Sequence, residues 1–267
     1  MKSIFITGAS TGLGKATAKL FATNGWNVIA TMRSPEKEKE LTQLKNVTVL
    51  KSDVTNPDQI QEAVIKSIES HSIDVVLNNA GYGLIGVIEA LTDEQIIRQL
   101  DTNLLGVIRV TKAFVPHFRE KKSGIFVNVS SMFGLIGYPT CSVYAATKFA
   151  LDGFSESLAY DLAHFNVKVK IVVPGGIQTD FAGRSMDGGQ HKAYNKLIEK
   201  VSEGYSAESI ANFSTPESIA NVIYEAATSN KEQLRYIAGA DAVSLYTERE
   251  KNGAEAQYRK IQGIFAY

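Results

Sequence analysis

Short runs dominated by isoleucine, valine and phenylalanine recur along the chain, separated by longer stretches in which apolar residues return every three or four positions. Residues 3–7, 27–31, 47–52, 75–78, 124–130 and 168–173 read as strands, with a seventh at 235–238. Near-continuous apolar runs, in place of strict alternation, suit strands covered on both faces. Helix starts are written between them. Asn56-Pro57 and Thr215-Pro216 each set a capping residue before a first-position proline, and Thr92 with Gln95 has capping-box spacing. This alternation predicts an α/β fold: a doubly wound, mostly parallel, seven-stranded sheet with helices on both faces. The charge run from Glu36 to Glu40, entered through Ser34-Pro35, reads as the solvated start of a helix. Residues 181–214 break the pattern, being polar, glycine-containing and weakly periodic. Such a stretch is either a substrate-binding loop or lid, or a partly helical surface insertion.

At 267 residues and 44% hydrophobic content, the chain has the size of one large domain spanning 1–267. Basic and acidic residues number 28 each, so no charge excess points to nucleic acid or an anionic membrane, and a small molecule is the expected partner. Strand-like Ile4-Phe5-Ile6 follows Met1-Lys2-Ser3 directly, which leaves no room for a signal peptide. No apolar run approaches the ~20 residues of a membrane helix, and the expected location is cytoplasmic. The single cysteine, Cys141, has no disulfide partner, and His71, His117, His164 and His191 lack ligand spacing, so no metal site is expected.

Chemistry first enters at Thr7-Gly8-Ala9-Ser10-Thr11-Gly12-Leu13-Gly14, between the first strand and a helix. Glycines let the backbone turn tightly and approach a pyrophosphate, whose charge suits the free amides and dipole of a helix start. The residues expected to hold a dinucleotide there are Gly8, Ser10, Thr11, Gly12, Leu13 and Gly14. Cofactor choice is written where the second strand ends. The chain reads Ala30-Thr31-Met32-Arg33, with no carboxylate for a ribose 2′-hydroxyl and a guanidinium suited to a 2′-phosphate, so NADP(H) is expected in preference to NAD(H). Asp53-Val54 after the third strand offers a carboxylate for the adenine amino group, or else a local turn former.

In this order, Thr7-Gly8-x-x-x-Gly12-x-Gly14, Asn78-Asn79-Ala80-Gly81, Asn103, Ser130-Ser131, Tyr144-x-x-x-Lys148 and Pro174-Gly175-Gly176 make the sequence similar to the classical short-chain dehydrogenase/reductase family over most of its length. The resemblance implies a Rossmann-like fold and hydride exchange between a nicotinamide and a ketone or aldehyde/alcohol pair. It implies Tyr144 as general acid/base, Ser131, thirteen positions earlier, as the carbonyl-orienting hydroxyl, and Asn103 as the holder of a water leading to Lys148. Four residues apart on a helix, Tyr144 and Lys148 share a face, so the ammonium is expected to lower the phenol's pKa. Lys148 and Tyr144 are also expected at the nicotinamide ribose, with Asn79, Ala80, Gly81, Pro174, Gly175, Ile177 and Thr179 around it. Tyr82, Leu135, Tyr138, Cys141 and Phe181 either line an apolar substrate pocket or merely pack. Arg33, Tyr144-x-x-x-Lys148-Phe149-Ala150-Leu151 and Arg235-Tyr236-x-x-Gly239-Ala240-Asp241-Ala242 look more like the hydroxysteroid-dehydrogenase-like branch than the acyl-carrier ketoreductases. A homodimer or homotetramer is implied as well. Two other readings stay open: an NAD-dependent alcohol or hydroxysteroid dehydrogenase working oxidatively, and a non-catalytic NADP-sensing protein.

Overall fold

A computed structural model describes residues 1–178 and 186–266. Seven parallel strands form the central sheet: β1 (Ser3–Thr7), β2 (Asn27–Met32), β3 (Val47–Lys51), β4 (Val75–Asn78), β6 (Gly124–Val129), β7 (Val167–Pro174) and β9 (Arg235–Ala238). Their order is β3-β2-β1-β4-β6-β7-β9. The chain winds outward from β1 to β3, then returns to place β4 on the other side of β1, so the order reverses between β1 and β4. Open α/β sheets bind ligands at such a switch, beyond the carboxyl ends of the strands.

Period-two packing explains the apolar runs. Ile4, Ile6, Val75, Leu77, Val127 and Val129 enter one core layer, under α1 (Gly12–Thr23) and α8 (Pro216–Thr228). Phe5, Val76 and Phe126 enter the other, under α2 (Pro57–Ser70), α4 (Gly106–Lys121) and α5 (Ser142–Ala163). With both faces covered, no strand position need be polar. The caps form as written: Asn56 accepts from the Gln59 amide, Thr215 from that of Ser218, and Thr92 with Gln95 closes a capping box at α3 (Asp93–Leu100).

Two expectations change. The run from Glu36 to Glu40 starts no α-helix. It holds a 3₁₀ turn, Pro35–Lys37, and Glu38 is buried, its carboxylate accepting from the amides of Glu40 and Leu41. Two short strands escape the pattern. β5 (Gly83–Gly86) and β8 (Met186–Gly189) pair in parallel as a separate two-stranded sheet. Within 181–214, the described part from 186 onward carries β8, α6 (Asn195–Glu203) and α7 (Ala207–Ala211), in keeping with the partly helical insertion that the sequence allowed. At the carboxyl end, α9 (Ala240–Asn252) and α10 (Ala254–Phe265) pack on each other. Among the described residues, no helix is long and apolar enough to cross a membrane.

Candidate active site

Every strand-end motif falls on the carboxyl edge of the sheet. Gly8 and Gly12 adopt positive φ of 69° and 52°, which favours glycine. A Cβ on Gly8 would lie 2.8 Å from the Ala80 Cα, and one on Gly14 would lie 2.3 Å from the Gly8 carbonyl oxygen, so α1 and β4 close tightly on the turn. Asn79 fixes that closure: its Nδ2 donates to the carbonyls of Thr7 and Gly8 at 3.0 and 3.1 Å. Thr7 Oγ1 in turn accepts from the amides of Asn79 and Ala80. Ser10 and Thr11 are exposed at the rim, and Leu13 is buried beneath it. Thr11 makes no side-chain cap and α1 has no acid in its first turn, so its leading amides and dipole are left for an anion. This cradle fits a dinucleotide pyrophosphate.

Arg33 follows β2 and is exposed. Glu38 and Glu40 are engaged elsewhere: Lys15 pairs with Glu38 at 3.3 Å and Glu40 at 2.6 Å, and Lys19 also holds Glu40. Those lysines hold the Glu40 carboxyl down at about 2. Among the described residues Arg33 has no ion pair or hydrogen bond, which leaves its fork available. Asp53 is a turn former, its Oδ1 accepting from the amide and hydroxyl of Thr55 at 2.9 and 2.8 Å. Val54 is buried against Gly106, where a Cβ would meet it at 2.9 Å.

On α5, Tyr144 and Lys148 are both buried, with the Lys148 Nζ 5.8 Å from the phenol ring centroid and donating to the Val129 carbonyl at 2.9 Å. Ser131 opens a 3₁₀ turn, Met132–Gly134, by accepting from the Phe133 amide, and its hydroxyl is near enough to the Tyr144 phenol to favour the phenolate. Ser130 instead faces the Lys148 carbonyl, 3.5 Å away. Asn103 lies in a π-helical stretch, Asp101–Leu105, and is 1% exposed. Its carboxamide accepts from the Tyr82 amide at 3.1 Å and donates to the Tyr82 carbonyl at 2.8 Å, with Thr147 Oγ1 at 3.5 Å. These hydrogen bonds stop one residue short of Lys148.

Burial sets the protonation states. It pushes the Tyr144 phenol up to about 12, with the nearby Ser131 hydroxyl acting against it, and pushes Lys148 down to about 8. The phenol thus shifts upward and not in the expected direction, because desolvation of the phenolate dominates while the Lys148 ammonium is directed to the Val129 carbonyl. Phe133, Cys141, Tyr144 and Ala145 form one buried cluster, with Tyr138 packed against it. Burial holds the Cys141 thiol up at about 12.

The remaining expected residues divide. Tyr82 is half-buried, and Arg98 Nε donates to its hydroxyl at 3.4 Å. Leu135 faces a separate cleft beside Phe149, Arg235 and Tyr246, away from the Tyr144 cluster. Pro174 ends β7, and Gly175-Gly176 abut Asp241, whose Oδ2 accepts from the Gly176 amide at 2.7 Å. Ile177 bridges to Ser214. Thr179 and Phe181 lie outside the described residues. Pattern reading misses Tyr205, between α6 and α7: burial pushes its phenol pKa up, and so does its proximity to Cys141, Tyr138 and Tyr144. The available signal was an aromatic following Gly204 in an otherwise polar stretch.

Comparison with known proteins agrees with this geometry. Residues 2–189 match the model of a family described as short chain dehydrogenase. Oxidoreductase BOA17 of Botryotinia fuckeliana is 39% identical over 247 residues, covering 90% of this chain and 89% of its own. The crystal structure of a short-chain dehydrogenase from Streptomyces avermitilis superposes with a TM-score of 0.86 at 30% identity, covering 98% of this chain and 96% of the other. ElxO with NADP bound gives a TM-score of 0.77 at 28% identity, covering 91% and 99%. Since the family match runs from β1 through the helix bearing Tyr144, and the Botryotinia relative is alike over most of both chains, this protein belongs to the short chain dehydrogenase family.

Proposed function

We propose that the protein is an NADP(H)-dependent reductase of ketones or aldehydes, acting on an apolar substrate. The observation that carries the reading is the buried Ser131-Tyr144-Lys148 group at the same sheet edge as the glycine cradle. Gly8 to Gly14 would hold the pyrophosphate, Arg33 the 2′-phosphate, and Asn79 to Gly81, Lys148 and the 174–177 segment the nicotinamide end. The bound nicotinamide supplies the hydride. Ser131 orients the carbonyl oxygen and Tyr144 donates the proton it needs. A phenol held near 12 is fully protonated at neutral pH, which suits an acid in the reductive direction. The Lys148 ammonium favours the phenolate left behind. NADP bound in the structural relative ElxO supports the cofactor class. We also propose a homo-oligomer, located in the cytoplasm.

The test is NADPH oxidation with a panel of ketones, run with two variants. Tyr144→Phe is expected to bind NADPH normally and lose ~10²–10⁴ in kcat; unchanged turnover would refute the acid role, and a wild type that binds NADPH but reduces no ketone would favour a cofactor-sensing protein. Arg33→Ala is expected to weaken NADPH selectively. Equal loss with NADH would remove the 2′-phosphate role and favour the NAD-dependent reading.

A further inference from the structure

A second hollow adjoins the catalytic cluster. It measures about 480 Å³ and lies between the 136–139 loop and α9–α10. Its walls are Ile136, Tyr138, Ile261 and Phe265, with the exposed ring of Tyr258 at the side and Arg249 and Gln257 contributing polar groups. That volume falls within the ~300–1,000 Å³ of pockets that bury small ligands.

Tyr138 links the hollow to the Tyr144 cluster. On one side its ring stacks on Phe133 with centroids 5.1 Å apart, and Phe133 meets the Tyr144 ring edge-to-face at 6.4 Å. On the other it meets Phe265 edge-to-face at 5.3 Å and lines the cleft. Two stacked rings, Phe133 and Tyr138, thus stand between Tyr144 and an apolar hollow. Two of the polar groups are already partnered: Arg249 donates to the Gln257 Oε1 at 3.2 Å, and the Gln257 Nε2 donates to the Leu245 carbonyl, while Glu255 and Gln262 sit at the cleft's edge. The walls therefore offer burial of hydrocarbon more than polar recognition.

We propose that this cleft takes the alkyl tail of a long-chain ketone whose carbonyl sits at Ser131 and Tyr144, the tail passing Tyr138 and lying against Phe265 and Ile261. This rests on the reductase reading, and it narrows the substrate class from apolar ketones in general to those with an extended chain. Each methylene buried there is worth about threefold to fourfold in affinity.

Two measurements test it. The first is kcat/KM for methyl ketones of four to twelve carbons. In Gly137→Phe the long-to-short ratio is expected to fall at least tenfold; Gly137 lines the cleft, and a Cβ there meets nothing within 4 Å, so the added ring enters open space. The second needs no turnover. In Tyr258→Trp, 12-bromododecan-2-one at micromolar concentration is expected to quench the new indole, with the wild type, whose single tryptophan is the buried Trp26, as control. Quenching no greater than in the wild type, or a long-to-short ratio unmoved by Gly137→Phe, overturns the tail site. Quenching without reduction of any ketone retains the tail site and rejects the reductase reading.

Discussion

Lys148 shows how a single residue can oppose stability while serving the site. Its ammonium is buried and pushed down to about 8, so at neutral pH the fold carries a charge it has desolvated. The distance from an ordinary lysine value near ~10.4 corresponds to roughly 3 kcal/mol. Between about 8 and ~10.4 the unfolded chain binds the proton and the folded chain does not, so this residue's contribution makes stability rise with pH across that window. Lys148→Met is expected to be more stable than the wild type by about 1–3 kcal/mol at pH 7, an advantage that shrinks toward pH 10, and to be inactive. Denaturant melts of both proteins at pH 7, 8.5 and 10 check it. A constant difference would mean that Lys148 is not charged and buried at neutral pH. Tyr205 makes a second residue-scale case. Its ring meets Phe213 and its phenol is within electrostatic range of Cys141, Tyr138 and Tyr144, so Tyr205→Ala is expected to raise KM for ketones about tenfold with NADPH affinity kept, and Tyr205→Phe to restore it. A loss confined to kcat would place Tyr205 in the chemistry instead.

Between residue and molecule stands the β5–β8 ribbon. Two strands are marginal alone, and this pair is held from α3. Gln95 caps the helix with its Oε1 and donates its Nε2 to Asp187 and Gly188 on β8, and Arg98 pairs with Asp187. Gln99 accepts from the Leu84 amide on β5. Burial raises the Asp187 carboxyl, but Gln95, the Gly188 amide and Arg98 together hold it below the usual range; the tether's contribution is full above the unfolded pKa and lost as pH falls through the folded one. Arg98 is 57% exposed, so the ion pair is worth ~0–1 kcal/mol. Asp187→Ala should therefore leave the melting temperature within a degree or two while speeding amide exchange in residues 186–214 severalfold. Exchange unchanged there, by mass spectrometry, would show that the insertion is held by other contacts. This element also marks the limit of sequence reading. Ile4-Phe5-Ile6 and the other sheet runs are legible because both faces of each strand are covered, which leaves an uninterrupted apolar signature. Gly83-Leu84-Ile85-Gly86 and Met186-Asp187-Gly188-Gly189 carry no such signature, since their pairing spans a hundred residues. Ser131, Tyr144 and Lys148 are legible from order and spacing. The direction of the phenol's pKa and the approach of Tyr205 are not, because both depend on burial that arises only when distant segments meet.

For the whole molecule, the outer surface of α5 matters as much as its inner one. Tyr144, Lys148 and Leu151 turn inward, whereas Phe149 and Tyr160, eleven residues apart and so nearly in line on a helix, are 43% and 69% exposed. Leu105, beside α4, and Ile97 on α3 are 42% and 64% exposed. A face of this kind on a helix that carries the proposed catalytic pair matches the proposed homo-oligomer, in which a second copy would bury the stripe and brace Tyr144 from behind. Because both side chains point away from Ser131 and the glycine cradle, changing them should alter assembly first and chemistry only through it. The double variant Phe149→Glu/Tyr160→Glu is expected to sediment as a monomer at micromolar concentration where the wild type sediments as a dimer or tetramer. Its kcat is expected to fall severalfold with NADPH affinity retained. A wild type that sediments as a monomer would end the proposal, and a variant that stays assembled would move the interface to another face of the protein.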